Sequence, residues 1–399
     1  MSTDFEHLYW METSIPRHIL PLIVVGQFCC TSLWFAGNGI AQELGDAFGM
    51  DESIGPITTS VQLGFILGTL IFAMLKIADR FSPSRVFMIC AFLGAMANLF
   101  IALSASSIEM LLLRFMTGFF LAGIYPVGMK IASDYHQRGL GVALGFLVGA
   151  LVLGTASPHL IKTFLSSQSW KMVLYGTSSL SVVGGILIGF FVPNGPFRRK
   201  SAGLDLSAFL RVFTFRKFRG AALGYFGHMW ELYAFWAFLP TYIHLYCQSS
   251  VLGISVSFLT FSTIAVGSIG CVVGGYYSLI IGSEKVAFRA LSVSLLCIIS
   301  SPFALMLPIW LFVPFLMIWG LAVIIDSPQF SSSAAANAPP ELTGTALTIM
   351  NSIGFLITIG SISLLNNLQI QPFIFYWLMP GPLLGLILFR LHSNTEKSV

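Results

Sequence analysis

"GVALGFLVGALVLGTASPHL", residues 141–160, is a run of twenty residues without Asp, Glu, Lys or Arg. A helix of about twenty mostly apolar residues is long enough to cross the hydrocarbon core of a bilayer. The whole chain has the same character, because 56% of its 399 residues are hydrophobic and 9% are charged, whereas soluble domains carry roughly 25% charged residues. The stretch therefore predicts a membrane-spanning helix in a protein that crosses the membrane many times.

Twelve apolar runs divide the chain. They are continuous and longer than the roughly ten-residue alternating segments of membrane β-barrels, so helices are predicted. The predicted spans are residues 18–38, 54–76, 85–104, 108–130, 140–164, 170–193, 220–243, 252–280, 287–306, 308–333, 342–365 and 371–390. The sequence thus predicts an all-α membrane protein with twelve transmembrane helices.

Basic residues predict the orientation of these helices. If both termini are cytoplasmic, seventeen of the twenty Lys and Arg residues fall on the cytoplasmic side, where such residues concentrate. Only Lys162 and Lys171 fall outside, and the loop 39–53 carries four acids and no basic residue. We expect a multi-pass protein of the cell inner membrane with both termini cytoplasmic. The net charge of +4 follows from this bias and indicates no nucleic-acid partner.

The two halves of the chain are similar to each other at a separation of about 200 residues. "GFFLAGIYPVG" from Gly118 aligns with "GLAVIIDSPQF" from Gly320. Two six-span halves around a central cavity are an arrangement that secondary transporters use. We therefore expect pseudo-symmetric six-helix bundles over residues 1–193 and 220–399. The basic segment 194–219 joins them as a cytoplasmic linker, or lies on the inner leaflet as an amphipathic segment.

Three motifs carry a resemblance to a known family. "ADRFSPSR" (78–85) resembles its loop between spans two and three, "RFMTGFFLAG" (114–123) its fourth-span motif, and residues 141–160 the glycine ladder of its fifth span. The chain resembles the major facilitator superfamily of secondary transporters over essentially its whole length, in a prokaryotic branch near the cyanate and nitrate porters. The loop motif departs from the family at Leu75, Ser82 and Pro83. The resemblance implies alternating access by a monomer.

The loop motif also implies a conformational latch. Asp79, Arg80 and Arg85 stand on its charged positions. The resemblance suggests that Asp79 meets the start of span eleven, near Thr343, where free amides and the positive end of the helix dipole attract an acid. The alternative is a solvated loop charge.

Glycines of the fifth span predict close helix packing. Gly141, Gly145 and Gly149 are four residues apart, and Gly154 follows on the same span. Glycine at this spacing opens a groove that lets another helix approach. The alternative is that glycine is simply common in membrane spans.

Charged residues inside spans indicate candidate proton-coupling groups. A charge at the bilayer centre costs at least about 2.5 to 3.5 kcal/mol, so such residues face a protein interior or a watery cavity. Glu231 and His228 share one side of span seven, and Asp326 precedes Pro328 in span ten. We expect Glu231 to face a central cavity and exchange protons with the help of His228 and Asp326. The alternatives are a structural hydrogen bond for Glu231 and a kink without ligand contact at Asp326.

Other polar and aromatic groups within spans are candidates for a substrate cavity. Each has a structural alternative, because buried polar groups also join helices and aromatic rings also fill the core or face lipid. The candidates are Arg114, Tyr125, Trp34, Asn38, Tyr233, Trp230, Gln329 and Asn351.

Taken together, these features favour a transporter. No GxSxG, HExxH or Walker motif supports an enzyme, and no cofactor or metal is predicted. We expect a secondary active transporter, coupled to protons, that moves a small organic solute such as an organic anion through the lipid bilayer. The alternatives are a facilitative uniporter or a multidrug-type effluxer, a transporter-like receptor, and a channel.

Overall fold

The computed structural model describes residues 16–51, 53–135, 140–165, 169–198, 211–248, 255–339, 342–368 and 371–393. Within these residues the chain forms helices and turns and no strand. Ten of the described helices are long and apolar enough to cross a membrane. The shorter apolar helix Ile19–Thr31 and the 33-residue helix Arg216–Gln248, which contains charged residues, complete the set. The predicted all-α fold with twelve membrane-spanning helices is confirmed.

We number the spans in chain order. They are Ile19–Thr31 (span 1), Ile54–Met74 (span 2), Pro83–Phe100 (span 3), Ser107–Leu121 with Tyr125–Tyr135 (span 4), Leu140–Phe164 (span 5), Lys171–Phe191 (span 6), Arg216–Gln248 (span 7), Val256–Ile281 (span 8), Ser283–Ala304 (span 9), Ile309–Asn337 (span 10), Thr343–Asn366 (span 11), and Ile374–Leu378 with Pro380–Ser393 (span 12). The short helix Ala41–Phe48 lies between spans 1 and 2.

The two halves repeat one packing scheme. Span 1 packs on spans 5 and 6 as span 7 packs on spans 11 and 12, and span 2 packs on span 4 as span 8 packs on span 10. A Cβ atom on Gly118 would overlap the carbonyl oxygen of Val61, and one on Gly320 would overlap that of Thr263. Both members of the second pair follow those of the first by 202 residues. The internal similarity of the sequence therefore corresponds to a repeated helix contact.

Two helix pairs join the halves. Span 5 packs along span 8, and span 2 packs along span 11. Polar side chains cross the second contact, where Thr358 Oγ1 donates to Gln62 Oε1 at 2.7 Å and the Gly55 amide donates to Asn366 Oδ1 at 2.7 Å.

Span 1 departs from the predicted helix 18–38. Its regular α-helix ends at Thr31, and turns lead into the 3₁₀ helix Asn38–Ile40. Within the turns the Trp34 amide donates to the Thr31 carbonyl at 3.0 Å, an i→i−3 bond of the 3₁₀ kind. Carbonyl groups in such turns can lack a helix hydrogen bond and then accept hydrogen bonds from side chains of other spans.

Prolines affect the two halves differently. Span 4 is interrupted between Leu121 and Tyr125, directly before Pro126, which has no amide hydrogen to donate. Span 10 continues through Pro328 without interruption. The helix is therefore unbroken beside Asp326 in span 10 and broken at the matching level of span 4.

Candidate functional site

A cavity of about 890 Å³ lies between the two halves. It is at the end of the bundle that holds the loop 39–53, which the basic residues predict to be the outer end. Spans 2, 5, 7, 8 and 11 contribute to its wall, together with the segment after span 1. Lining residues used below are Asn38, His159, Lys162, Ala237, His244 and Asn366.

The polar part of the cavity wall includes two acids, two histidines and one lysine beside neutral polar side chains. Asp46 and Asp51 lie exposed at the rim. Lys162 Nζ lies 2.7 Å from Glu43 Oε1, so its charge is already balanced. His159 and His244 are the histidines of the wall. The described wall therefore offers an incoming solute hydrogen-bonding groups and no unbalanced Lys or Arg.

Two buried polar side chains reach the floor of this cavity. Asn38, a predicted cavity residue, donates from Nδ2 to Thr58 Oγ1 at 2.6 Å and leaves its Oδ1 without a donor in the described chain. His159 is buried, and its Nε2 also lacks a partner among the described residues. The sequence prediction missed His159, although a histidine directly after Pro158 in an apolar run was a signal.

A closed group of aromatic rings lies beneath the floor. We call it the central aromatic cluster, and it contains Trp34, Phe65, Tyr233, Trp236 and Phe355. Ring centroids are 5.8 Å apart for Trp34 and Tyr233, 5.4 Å for Tyr233 and Trp236, and 5.6 Å for Trp34 and Phe355. All five rings are buried. The cluster joins spans 1 and 2 to spans 7 and 11, so it closes the contact between the halves.

The three predicted proton-coupling residues, His228, Glu231 and Asp326, are buried in the C-terminal half. His228 Nδ1 is 2.8 Å from Asp326 Oδ1, and both side chains are fully buried. The separation is that of an ion pair when the imidazole is protonated. The structure therefore brings together two of the three residues that we predicted for proton coupling.

Glu231 points elsewhere. Its Oε1 accepts a 2.5 Å hydrogen bond from Ser294 Oγ in span 9 and a 3.0 Å bond from Trp319 Nε1 in span 10. Its Oε2 has no donor within the described residues. The expectation that Glu231 faces the central cavity is wrong for this structure, because the side chain turns into the C-terminal half.

Arg114 is held by the loosened part of span 1. Its Nη1 donates to the Leu33 carbonyl at 3.1 Å and its Nη2 donates to the Trp34 carbonyl at 2.6 Å. The side chain is fully buried and is not part of the cavity wall. The guanidinium thus satisfies backbone groups beside the central aromatic cluster, where we had expected a substrate-cavity residue.

The other predicted cavity residues are dispersed. Trp230 donates from Nε1 to the Trp377 carbonyl at 3.0 Å, so its indole faces span 12 and not the cavity. Tyr125 and Asn351 are half-buried, and Gln329 is buried. None of these four residues lines the cavity at the outer end.

Charged groups of the latch motif gather at the opposite end. Asp79 Oδ1 lies 3.1 Å from Lys130 Nζ, which lies 3.5 Å from Asp134. Arg198 donates to the Asp79 carbonyl at 3.0 Å. Arg80 and Arg85 are exposed. The sequence alone did not pair Asp79 with Lys130, which follows Pro126 of span 4 by four residues.

Glycines of span 5 lie against two neighbours. A Cβ on Gly149 would be 3.0 Å from the Ser268 carbonyl oxygen and one on Gly145 would be 3.4 Å from that of Cys271, both in span 8. A Cβ on Gly154 would meet Phe28 and Thr31 of span 1. The surroundings of Gly141 fall outside the described part of the chain.

Comparisons with known proteins agree with this architecture. The family model described as Major Facilitator Superfamily matches residues 23–362. The 4-hydroxybenzoate transporter PcaK of Pseudomonas aeruginosa is 30% identical over 155 residues, which are 37% of this chain and 32% of that protein. The multidrug transporter FLR1 of Candida glabrata is 24% identical over 161 residues, 39% of this chain and 29% of that protein. The match thus spans about a third of the length of these curated relatives.

Solved structures share the fold over nearly their whole length. The human organic anion transporter MFSD10 superimposes with a TM-score of 0.74 at 15% identity, covering 94% of this chain and 99% of that one. The Escherichia coli fucose:proton symporter FucP superimposes with a TM-score of 0.64 at 16% identity, covering 95% of this chain and 100% of that one. With the family model matching most of the sequence, the chain belongs to the Major Facilitator Superfamily.

Proposed function

We propose that this protein is a secondary active transporter that moves a small organic solute across the inner membrane by alternating access. The observation that carries the proposal is the cavity between the halves that ends on the closed central aromatic cluster. A carrier in one of its two states has such a blind cavity, whereas a channel needs a continuous polar path.

The solute is a small organic acid under this proposal. Relatives named as 4-hydroxybenzoate transporters support the choice, and the many hydrogen-bonding groups of the wall suit an organic compound better than a metal ion. Placement near the cyanate and nitrate porters stays a prediction. So do the monomeric state, the cytoplasmic termini, and the division into residues 1–193, the linker 194–219 and residues 220–399.

Protons supply the driving force in this proposal. His228 and Asp326 form a buried pair with Glu231 one helical turn away on span 7. One protonated imidazole can balance only one of the two carboxylates, so the other carboxylate has no positive partner in this group. An uncompensated buried charge is costly. Binding a proton removes that charge, so loading and release of a proton can accompany the change of state.

Uptake into proteoliposomes, with and without an imposed pH gradient, tests the proposal. Glu231→Gln and Asp326→Asn should keep counterflow exchange of solute and lose accumulation driven by the gradient. Asp46→Asn at the exposed rim is the matched control and should behave as the unmodified protein. Gradient-driven accumulation that persists in both buried variants would reject these residues as coupling groups. Transport that ignores the gradient in the unmodified protein would favour a facilitative uniporter.

A further inference from the structure

Three buried N–H groups near the centre of the molecule have no acceptor. They are the indole Nε1 of Trp34, the indole Nε1 of Trp236 and the amide Nε2 of Gln62, and none has a partner among the described residues. Each of these side chains is at most 1% exposed. A buried donor without a partner costs about 1 to 3 kcal/mol, so three in one region require an explanation.

The donors share one location at the junction of the halves. Trp34 and Trp236 flank Tyr233 in the central aromatic cluster. Gln62 is one helical turn from Phe65, whose ring centroid is 4.6 Å from that of Trp34. The Oε1 atom of Gln62 is occupied by Thr358 of the other half, which leaves only the amide hydrogens free.

Trp34 and Trp236 are also equivalent residues of the two halves. They are 202 residues apart, the separation that relates Gly118 to Gly320. They correspond in sequence position, although Trp34 lies in the turns after Thr31 and Trp236 lies within the continuous helix of span 7, and the two indoles belong to opposite halves. The cavity floor lies directly beyond them, because Asn38 is one turn from Trp34 and Ala237 follows Trp236.

The chemistry of this region selects one class of ligand. The free groups are donors, which suit oxygen acceptors and repel a cation. A sugar would need paired acceptors as well as donors, and the free oxygen acceptor at the floor among the described residues is Asn38 Oδ1, with the His159 Nε2 nitrogen beside it in the wall. Buried rings on several sides suit a flat aromatic ring. Arg114 donates through Nη1 and Nη2 to two carbonyl groups beside the cluster, and its Nε is a further buried donor without an acceptor among the described residues.

We propose that the central aromatic cluster is the binding site for an aromatic carboxylate. The rings part to hold the ligand ring between them, and the indole N–H groups of Trp34 and Trp236 with the Gln62 amide donate to the carboxylate oxygens. The ligand enters through the outer cavity and replaces contacts between the halves. This inference rests on the proposed transport function and names the solute class.

Calorimetric binding to the purified full-length protein tests the site. Benzoate should bind more tightly than cyclohexanecarboxylate, which lacks the aromatic ring, and than benzyl alcohol, which lacks the carboxylate. Trp34→Phe and Trp236→Phe keep a ring and lose the donor, so each should weaken benzoate binding about tenfold or more. Trp310→Phe, at a 69% exposed position of span 10, is the matched control and should leave affinity unchanged.

Photolabelling of the unmodified protein with 4-azidobenzoate gives a second measurement that needs no variant. Label in peptides containing Trp34 and Trp236 supports the site. Label confined to other peptides, benzyl alcohol binding as tightly as benzoate, or unchanged affinity in both folded Trp variants would overturn it.

The two proposals fail in different ways. Benzoate binding without gradient-driven accumulation would overturn the proposed coupling and leave this site standing. Accumulation of another solute by a protein that does not bind benzoate would overturn the site and leave the transport function standing.

Discussion

The partners of a buried polar side chain in this protein depend on which side of its helix it occupies. Glu231 and Tyr233 are two residues apart on span 7, which separates their directions by roughly 200°. Tyr233 packs on Trp34 of the other half, whereas Glu231 meets Ser294 and Trp319 of its own half. A coupling role for Glu231 therefore acts through packing within the C-terminal half and not through contact with solute in the outer cavity.

Ser294→Ala tests how the Glu231 carboxylate is held. The change leaves Trp319 as its one side-chain donor in the described chain, so we expect a loss of about 1 to 3 kcal/mol in stability. Thermal unfolding of the purified protein measures it. Ser292→Ala, whose hydroxyl donates only to the Phe288 carbonyl of its own helix, serves as the control. Equal melting temperatures for the two variants would contradict the assignment.

At the scale of elements, glycine decides how closely the spans approach. Gly118 lets span 4 rest on the backbone of span 2, and Gly320 does the same for spans 10 and 8. Close backbone approach of this kind replaces the hydrophobic effect as the basis of helix packing in lipid.

Gly118→Ala and Gly320→Ala should each destabilise the protein by about 1 to 3 kcal/mol or more, because the added methyl overlaps a carbonyl group that cannot rotate away. Gly275→Ala on span 8 is the control, since a Cβ there meets nothing within 4 Å. Melting temperatures in one detergent compare the three variants. A loss in Gly275→Ala as large as in the other two would show that the contact is not the cause.

The charged residues Asp79, Lys130 and Asp134 form a cluster at the predicted inner end of the bundle. Asp79 is paired with Lys130, and we still propose that it acts as a latch that biases the two states of the transporter. Asp79→Asn should then slow solute exchange more than it weakens solute binding, since the acid does not touch the solute. Exchange rates and binding measured on one preparation decide this, and lost binding with unchanged exchange would refute the latch.

For the whole molecule, two similar halves meet along spans 2 and 11 and spans 5 and 8, with the solute path between them. Such a design lets each half move as a body about the buried junction. The orientation of that path in the membrane stays a prediction from the basic residues.

Labelling of single cysteines in an otherwise cysteine-free protein tests the orientation. A cysteine at Asp46, on the rim of the outer cavity, should react with an impermeant maleimide in intact cells. One at Lys200, which lies outside the described residues, should react only after the membrane is opened. Reaction at position 200 from outside would invert the topology and exchange the outer and inner ends.

The sequence by itself determined the class, the number of spans and the repeat, because hydropathy, length and a constant offset are local properties that survive without a structure. It also singled out Glu231, Asp326 and Arg114, since a charge stands out in an apolar run. Only the tertiary structure decided where these groups point. Both sides of a buried span are apolar, so the amino-acid pattern of span 7 does not distinguish the side that faces the other half from the side that faces its own. Two features of the site depend on contacts between residues far apart in the chain: the hydrogen bonds from Arg114 to the Leu33 and Trp34 carbonyls and the packing of Trp34 on Tyr233. Such contacts exist only once the helices have packed.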